Sequence, residues 1–203
     1  MNTELLADYA RRYESILRPI AEQLERFIVD QMQGESRIDR ITARAKDPER
    51  FINKASAVGE QGKPRYEMPL VQIQDQIAAR IVVLYIDDVK RIQKRILDYF
   101  VPIEVRTIVP DSHWEFGYFG QHYILTLPHD VIPPAIAVDD APSFFELQIK
   151  TLFQHAWSEA NHDLGYKPTH SLSIEQQRLL AYTSAQAWGA DRVFQELVTA
   201  EQN

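Results

Sequence analysis

The stretch FFELQIK, residues 144–150, sets one carboxylate, Glu146, among Phe144, Phe145, Leu147 and Ile149, neighbours that argue for burial. Two other polar groups interrupt apolar surroundings: Arg80 inside IAARIVVLYI (77–86), and Asp75 just ahead of that run. An ionised side chain removed from water is costly unless it is paired, hydrogen-bonded or bound to metal. Two readings follow. Arg80 makes a structural ion pair with Glu146 or Asp75, or the two carboxylates Asp75 and Glu146 flank a divalent cation. Oxygen ligands suit Mg2+, which takes one or two protein carboxylates and fills its shell with water and substrate phosphates.

A set of cations favours the second reading. RAKDPERFINK (44–54) supplies Arg44, Lys46 and Lys54, with Arg40 and Arg50 nearby. On a strand Arg40 and Arg44 share a face with Lys46, and a following helix returns Lys54 toward it. Arginine forks grip phosphate oxygens in pairs and lysines add point charge, so a polyphosphate fits such a set. The plainer alternative is a solvated basic face.

WEFGYFGQH (114–122) adds a third feature. Gly117 and Gly120 allow unusual backbone angles and would display Tyr118 between them, beside His122, as a platform for stacking a base. The alternative is a β-turn whose tyrosine packs on a sheet edge. His155 and His162 fall on one helical face but seven residues apart, wider than the four-residue step of a zinc helix. A lone His162–Asp163 pair lacks the second histidine pair of a metal phosphohydrolase, and no G-x-S-x-G elbow supports a serine hydrolase.

The elements that must position these groups are legible from periodicity. Residues 3–33 repeat apolar side chains at three- and four-residue steps, a helix that Pro19 should kink or split and Gly34 should stop. Residues 37–46 alternate as a strand. Asp47 and Pro48 start a short helix, and 59–69 is a polar loop. A strand over 77–86, a helix over 87–100, and strands at 101–109, 120–128 and 144–150 follow. Thr151 caps a helix over 151–164, and a Ser173–Gln176 capping box opens a last helix over 173–200. Five strands interleaved with helices predict an α/β (α+β) fold, a mixed five-stranded sheet flanked by helices.

With 203 residues, 45% hydrophobic and 25% charged, the chain can bury one substantial core. It has no cysteine, which excludes disulfides and thiolate chemistry and suits a reducing cytoplasm. No apolar run reaches membrane-spanning length, and the first residues are too polar for a signal peptide. A net charge of −7 argues against broad nucleic-acid binding but leaves room for a local phosphate site.

In order, these segments resemble the synthetase domain of the RelA/SpoT alarmone family, particularly its small single-domain members. That family opens its site with R-x-K-x-x-x-S-x-x-x-K; Arg44, Lys46 and Lys54 keep the spacing, with Arg50 at the serine position. DQIAAR retains Asp75 and Arg80, with Ala79 for a glycine. GYFGQH keeps Gly117, Tyr118 and His122, with Gly120 for a serine. E-x-Q-x-[RK]-T is intact as Glu146, Gln148, Lys150 and Thr151, and a closing motif keeps Trp157, His162, Leu164, Tyr166 and Lys167. The resemblance implies a nucleotidyltransferase-like synthetase domain at 37–168, an N-terminal helical extension at 1–36 and a C-terminal helix at 169–203, without the family's hydrolase domain.

It also implies an ATP-dependent pyrophosphokinase that uses Mg2+. ATP would give its β,γ-pyrophosphate to the 3′-hydroxyl of GDP or GTP, making a (p)ppGpp-type alarmone and releasing AMP. By resemblance Arg44 and Arg80 sandwich the adenine, Lys46 and Lys54 hold the triphosphate, and Asp75 and Glu146 bind the metal. Glu146 activates the attacking hydroxyl, and Tyr118, His122 and Gln148 receive the acceptor. Family members making (p)ppGpp carry lysines in the loop before G-Y-x-S-x-H, whereas TIVPDSHWEFGY (107–118) has none, and Arg106 precedes it. That departure keeps other acceptors in view: the 3′ CCA end of tRNA, modified by toxic members paired with an antitoxin, or an adenine nucleotide. Arg11, Arg12 and Arg18 could meet such an RNA or form a solvated helix face. A nucleotide-binding regulatory relic is the non-enzymatic rival. The flanking helices suggest a homo-oligomer, and no membrane partner is expected.

Overall fold

Alternation along the two central strands makes this sheet two-faced, and the site follows from it. In a computed structural model the residues described are 2–59, 62–108, 116–117, 120–165 and 172–201. The strands are β1 (Ile38–Ala45), β2 (Ile77–Val83), β3 (Pro102–Ile108), β4 (Gly120–Thr126) and β5 (Phe144–Thr151). They form one sheet in the order β1-β2-β5-β4-β3. Only the β2–β5 pair is parallel; the others are antiparallel, so the sheet is mixed as the pattern predicts. The helices are α1 (Asn2–Arg12), α2 (Arg18–Gln31), α3 (Pro48–Ala55), α4 (Pro69–Gln72), α5 (Ile86–Leu97), α6 (Leu152–Gly165) and α7 (Ile174–Glu201).

One face of the sheet carries the core. Ile77, Ala79, Ile81 and Val83 of β2, Phe145, Leu147 and Ile149 of β5, and Tyr123 and Leu125 of β4 are buried there. Helices α2 and α5 cover it, α2 contributing Ile20, Leu24 and Ile28. Burying a side chain of this size is worth about 1.5–3 kcal/mol. The alternate positions, Glu146, Gln148 and Lys150 on β5 and Ala78 and Arg80 on β2, therefore turn to the opposite face, where α6 packs. Glu146 sits in an apolar run because its strand is half core and half site.

Just before Pro19 the first helical stretch widens instead of breaking. Residues Tyr13–Leu17 form a π-helical turn in which the Arg18 amide donates to the Tyr13 carbonyl. Pro19 has no N–H to offer the preceding turn and its ring crowds that turn's carbonyl, so the ladder steps to the longer register. Gly34 ends the stretch at φ +85°. Arg18 pairs with Glu14 at 2.6 Å and Arg11 with Asp8, both on the exposed helix surface. On the edge strand β1, the Ala43 amide donates to Glu25 of α2 at 2.7 Å, which blunts that edge against pairing with another chain.

Two expectations need adjusting. The strand read over 77–86 stops at Val83, because Tyr85 becomes the N-cap of α5 with Asp88 closing a reciprocal capping box. The loop read over 59–69 runs into α4, a single turn started by Pro69. The helix start at Asp47 is as expected, its carboxylate accepting from the Glu49 and Arg50 amides, and so is the Ser173–Gln176 box.

Helix α7 docks through a buried carboxyl. Asp191, 4% exposed, accepts a hydrogen bond from Thr151 at 2.8 Å, and its second oxygen has no partner among the described residues. Burial pushes its pKa up to about 6, which the Thr151 hydroxyl partly offsets. An acid whose pKa is raised by folding favours the fold only while protonated: that stability is full below the unfolded pKa of about 4 and is lost as pH rises through about 6. Asp191→Asn should therefore stabilise the protein at pH 7.5 by up to about 3 kcal/mol, and by nothing near pH 4. Urea denaturation of both proteins at the two pH values checks this; equal gains at both pH values would contradict it.

Candidate active site

The polar face of the sheet and the loops at its β1 and β2 edge enclose a cleft of about 1070 Å3. The strand register lays its floor in rows. Thr42, Arg80, Gln148, His122 and Arg106 stand side by side across all five strands, and Arg44, Ala78 and Glu146 form the row beside them. Neighbouring strands lie about 5 Å apart, so each row spaces its side chains across a length suited to a nucleotide. Ala78 contributes only a methyl group between Arg44 and Glu146, leaving the floor open there.

Two hydrogen-bonded clusters occupy this floor. In the first, Asp75 is gripped by two lysines: Lys46 Nζ lies 2.8 Å from one carboxylate oxygen and Lys54 Nζ 2.9 Å from the other. Burial, with the side chain 17% exposed, works to raise its pKa, but the two ammonium groups outweigh it and hold the carboxyl below its ordinary value. The lysines are positioned from outside the sheet. Tyr9 of α1 stacks on Phe51 of α3 with centroids 3.7 Å apart and donates its hydroxyl to the Lys46 carbonyl at 3.0 Å.

In the second cluster, Glu146 accepts from His122 Nδ1 at 2.6 Å and from Gln148 Nε2 at 2.8 Å. Burial again works to raise its pKa, and these two donors, His122 foremost, bring it below the usual glutamate value; the charge of Asp75 pushes the other way. Both carboxylates line the one cleft. The alternative pairing of Arg80 with Glu146 or Asp75 does not form. Arg80 Nη1 instead donates to Glu159 of α6 at 2.6 Å and lies 3.1 Å from His155 Nδ1. Helix α6 crosses above Arg80 and offers a carboxylate nearer than either.

Among the described residues the cleft lining holds seven cationic side chains against four carboxylates, in a chain whose net charge is −7. Such a local reversal attracts polyanions. A second cavity of about 670 Å3, between α6 and α7, has no ionisable side chain in its lining and offers no comparable chemistry.

A family model described as a region found in RelA/SpoT proteins matches residues 43–171, well over half of the chain. The chain belongs to the RelA/SpoT family. GTP pyrophosphokinase YjbM of Bacillus subtilis (strain 168) is 23% identical over 92% of this chain and 89% of its own length. The crystal structure of small alarmone synthetase 1 from Bacillus subtilis bound to its product pppGpp superposes with a TM-score of 0.75 at 22% identity, covering 96% of this chain and 99% of the other. The same synthetase bound to AMPCPP gives 0.65 at 20% identity, over 92% and 96%. At such identity these structures establish the fold, a mixed five-stranded sheet with flanking helices.

Within the RelA/SpoT frame, the family motifs converge. Arg44, Lys46, Lys54, Asp75, Arg80, His122, Glu146 and Gln148 all line the one cleft. Tyr118, Tyr166 and Lys167 lie outside the described residues. Two departures from the family pattern lie differently. Ala79 faces the core between Ala43 and Leu147 and leaves the floor untouched, whereas Arg50 lines the cleft and adds a cation. Arg40 ion-pairs with Asp39 at 2.6 Å and takes no part in the lining.

The cleft also contains residues that sequence reasoning did not assign. Lys150, only 4% exposed, donates to Ser158 at 3.0 Å; burial and the neighbouring Arg80 bring its pKa down to about 7. Alternation with Glu146 and Gln148 was the available signal. Arg106 stands opposite His122 in register, hydrogen-bonded to Glu104 and Gln74. Glu159 and His162 come from α6, and only helical phase could have signalled Glu159. Among the described residues no group of three or more His, Asp or Glu side chains suited to a metal forms, around the candidate ligands Asp75 and Glu146 or around His155 and His162.

Proposed function

We propose that this protein is an ATP-dependent pyrophosphokinase that transfers the β,γ-pyrophosphate of ATP to the 3′-hydroxyl of GDP or GTP, producing a (p)ppGpp-type alarmone and AMP. The observation that carries this reading is the meeting, in one cationic cleft, of the Lys46–Asp75–Lys54 cluster with the His122–Glu146–Gln148 cluster. The relatives' names, a GTP pyrophosphokinase and a small alarmone synthetase with pppGpp or AMPCPP, support it.

In this reading the adenine lies between Arg44 and Arg80, and Lys46 and Lys54 take the triphosphate. The acceptor base stacks on Tyr118, with His122 and Gln148 beside its ribose, and Arg106 supplies the cation that the preceding loop lacks. The 3′-oxygen forms a bond to Pβ, the Pβ–O bond to AMP breaks, and the hydroxyl proton passes to Glu146, which its two donors hold ionised against the effect of burial. Such transfer depends on positioning and charge neutralisation more than on covalent help. His122 and Gln148 fix the Glu146 carboxylate so that no reorganisation is needed at the moment of reaction.

The donor set suits Mg2+: two carboxylates, each held in its ionised form by hydrogen-bonded donors, line one cleft. Asp75 and Glu146 would hold the ion, which when bound screens the phosphate charge. A triphosphate that draws Lys46 and Lys54 to itself leaves the Asp75 oxygens free for that role.

The reaction belongs in the cytoplasm, where both nucleotides are made, and no described helix is long and apolar enough to cross a membrane. A second copy of the chain is the partner that the exposed Leu179, Tyr182, Val193 and Leu197 of α7 suit best.

ATP labelled at its γ-phosphate, offered with Mg2+ to GDP, GTP, AMP, ATP and deacylated tRNA in separate reactions, tests the assignment. Label should appear in a guanosine product with AMP released in equal amount. Label in tRNA or in an adenine nucleotide would overturn the guanine acceptor, and ATP binding without AMP release would overturn the enzymatic reading.

A further inference from the structure

Helix α7 lies beyond the matched family segment, yet it reaches the elements that frame the cleft. Ser184 Oγ donates to the Gly117 carbonyl at 2.8 Å. The Trp188 ring meets Phe116 edge-on, with centroids 5.8 Å apart and planes at 67°. Asp191 accepts from Thr151, the last residue of the strand that carries Glu146. Gln195 clasps Asp87 at the start of α5, accepting from its amide and donating to its carboxylate, both at 2.9 Å. Positions 184, 188, 191 and 195 step by four, three and four, a single stripe down one side of the helix.

Two of these contacts fall on Phe116 and Gly117, immediately before Tyr118. Gly117 has no side chain to restrict its backbone, so fixing it before a ligand arrives spares the affinity that ordering it on binding would cost. Ser184 is 3% exposed and spends its hydroxyl on a single backbone carbonyl of that segment. A buried hydroxyl so used fixes a place in the chain.

We infer that α7 is a strut that sets the acceptor-binding segment in place, with Ser184 and Trp188 as its positioning residues. The inference rests on the acceptor role proposed above for Tyr118 and His122. It extends that site to a helix outside the family motifs and couples the segment, through Asp191 and Thr151, to the end of the strand bearing Glu146.

The test uses the full chain with Ser184→Ala, Trp188→Ala and Trp188→Phe. Hydrogen–deuterium exchange of the amides around 116–121 needs no substrate, and should quicken in Ser184→Ala and Trp188→Ala while exchange in β2 and β5 stays as in the parent. In steady-state assays both should raise the acceptor KM about fivefold, the factor expected for one lost hydrogen bond in Ser184→Ala and one lost aromatic pair in Trp188→Ala. The KM for ATP should stay unchanged, and Trp188→Phe, which keeps a ring against Phe116, should restore the acceptor KM. Trp188 is partly exposed, so its truncation empties no sealed site and covers the case in which Ser184→Ala loosens the whole fold. Unchanged exchange around 116–121, or equal shifts in both KM values, would overturn the strut. If the parent chain transfers nothing to GDP or GTP, the acceptor reading fails by itself and the exchange measurement still decides the strut.

Discussion

Glu146→Gln is expected to abolish pyrophosphoryl transfer while leaving the protein folded and able to bind ATP. Glutamine keeps the side-chain length and can still accept from His122 or Gln148, so the β5 register and the core behind it stay intact. What disappears is the negative charge and the proton acceptor. Removing a positioned general base costs about 10²–10⁴ in rate, and the loss of a metal-binding oxygen adds to it, so kcat should fall by about a thousandfold or more. The pKa of Glu146 is lowered in the fold. Its ionised form therefore adds stability above the unfolded carboxyl pKa, which is lost as pH falls through the lower folded value. The variant gives up that increment, a cost of about 1–2 kcal/mol with two hydrogen bonds to the charge involved. Single-turnover measurements beside calorimetric titration with a non-hydrolysable ATP analogue separate the effects. A variant turning over within about tenfold of the parent would remove Glu146 from the reacting centre.

Much of this site could be read from the chain because its logic is alternation. FFELQIK and IAARIVVL give two strands, and a period of two sends Glu146 and Gln148 to the face that also receives Arg80. The Asp47–Pro48 start signal likewise fixes the helix that returns Lys54 to Lys46. Pairing across the fold was harder. Arg80 was within reach of Asp75 and Glu146 by sequence logic, yet it takes Glu159, because the choice depends on how α6 crosses the sheet. Helix α7 was legible as a helix from its capping box, but its docked stripe holds Ser184, Asp191 and Gln195 while Leu179, Tyr182 and Leu197 face outward. A hydrophobic pattern misleads about orientation when the buried side is held by polar contacts.

Asp75→Asn should move nucleotide binding and turnover in opposite directions. Asp75 neutralises Lys46 and Lys54 at 2.8 and 2.9 Å, so a triphosphate can claim these lysines only by breaking both contacts. Asparagine removes the competing charge and leaves two partly buried ammonium groups facing an open cleft. Without divalent metal, ATP should then bind more tightly than to the parent, by about tenfold for roughly 1.4 kcal/mol of relieved competition. With Mg2+ the same variant lacks one of its two metal carboxylates, and kcat/KM should drop by at least about a hundredfold, with half-activation shifted to higher Mg2+. Stability supplies a third sign. The pKa of Asp75 is lowered on folding, so its contribution is present above the unfolded value and is lost as pH falls through the folded one. The variant should therefore melt lower than the parent at neutral pH, approach it in acid, and recover at neutral pH when ATP refills the lysine pair. A purely structural ion pair would behave otherwise: nucleotide affinity without metal and turnover with it would decline together, and that result would separate Asp75 from metal binding.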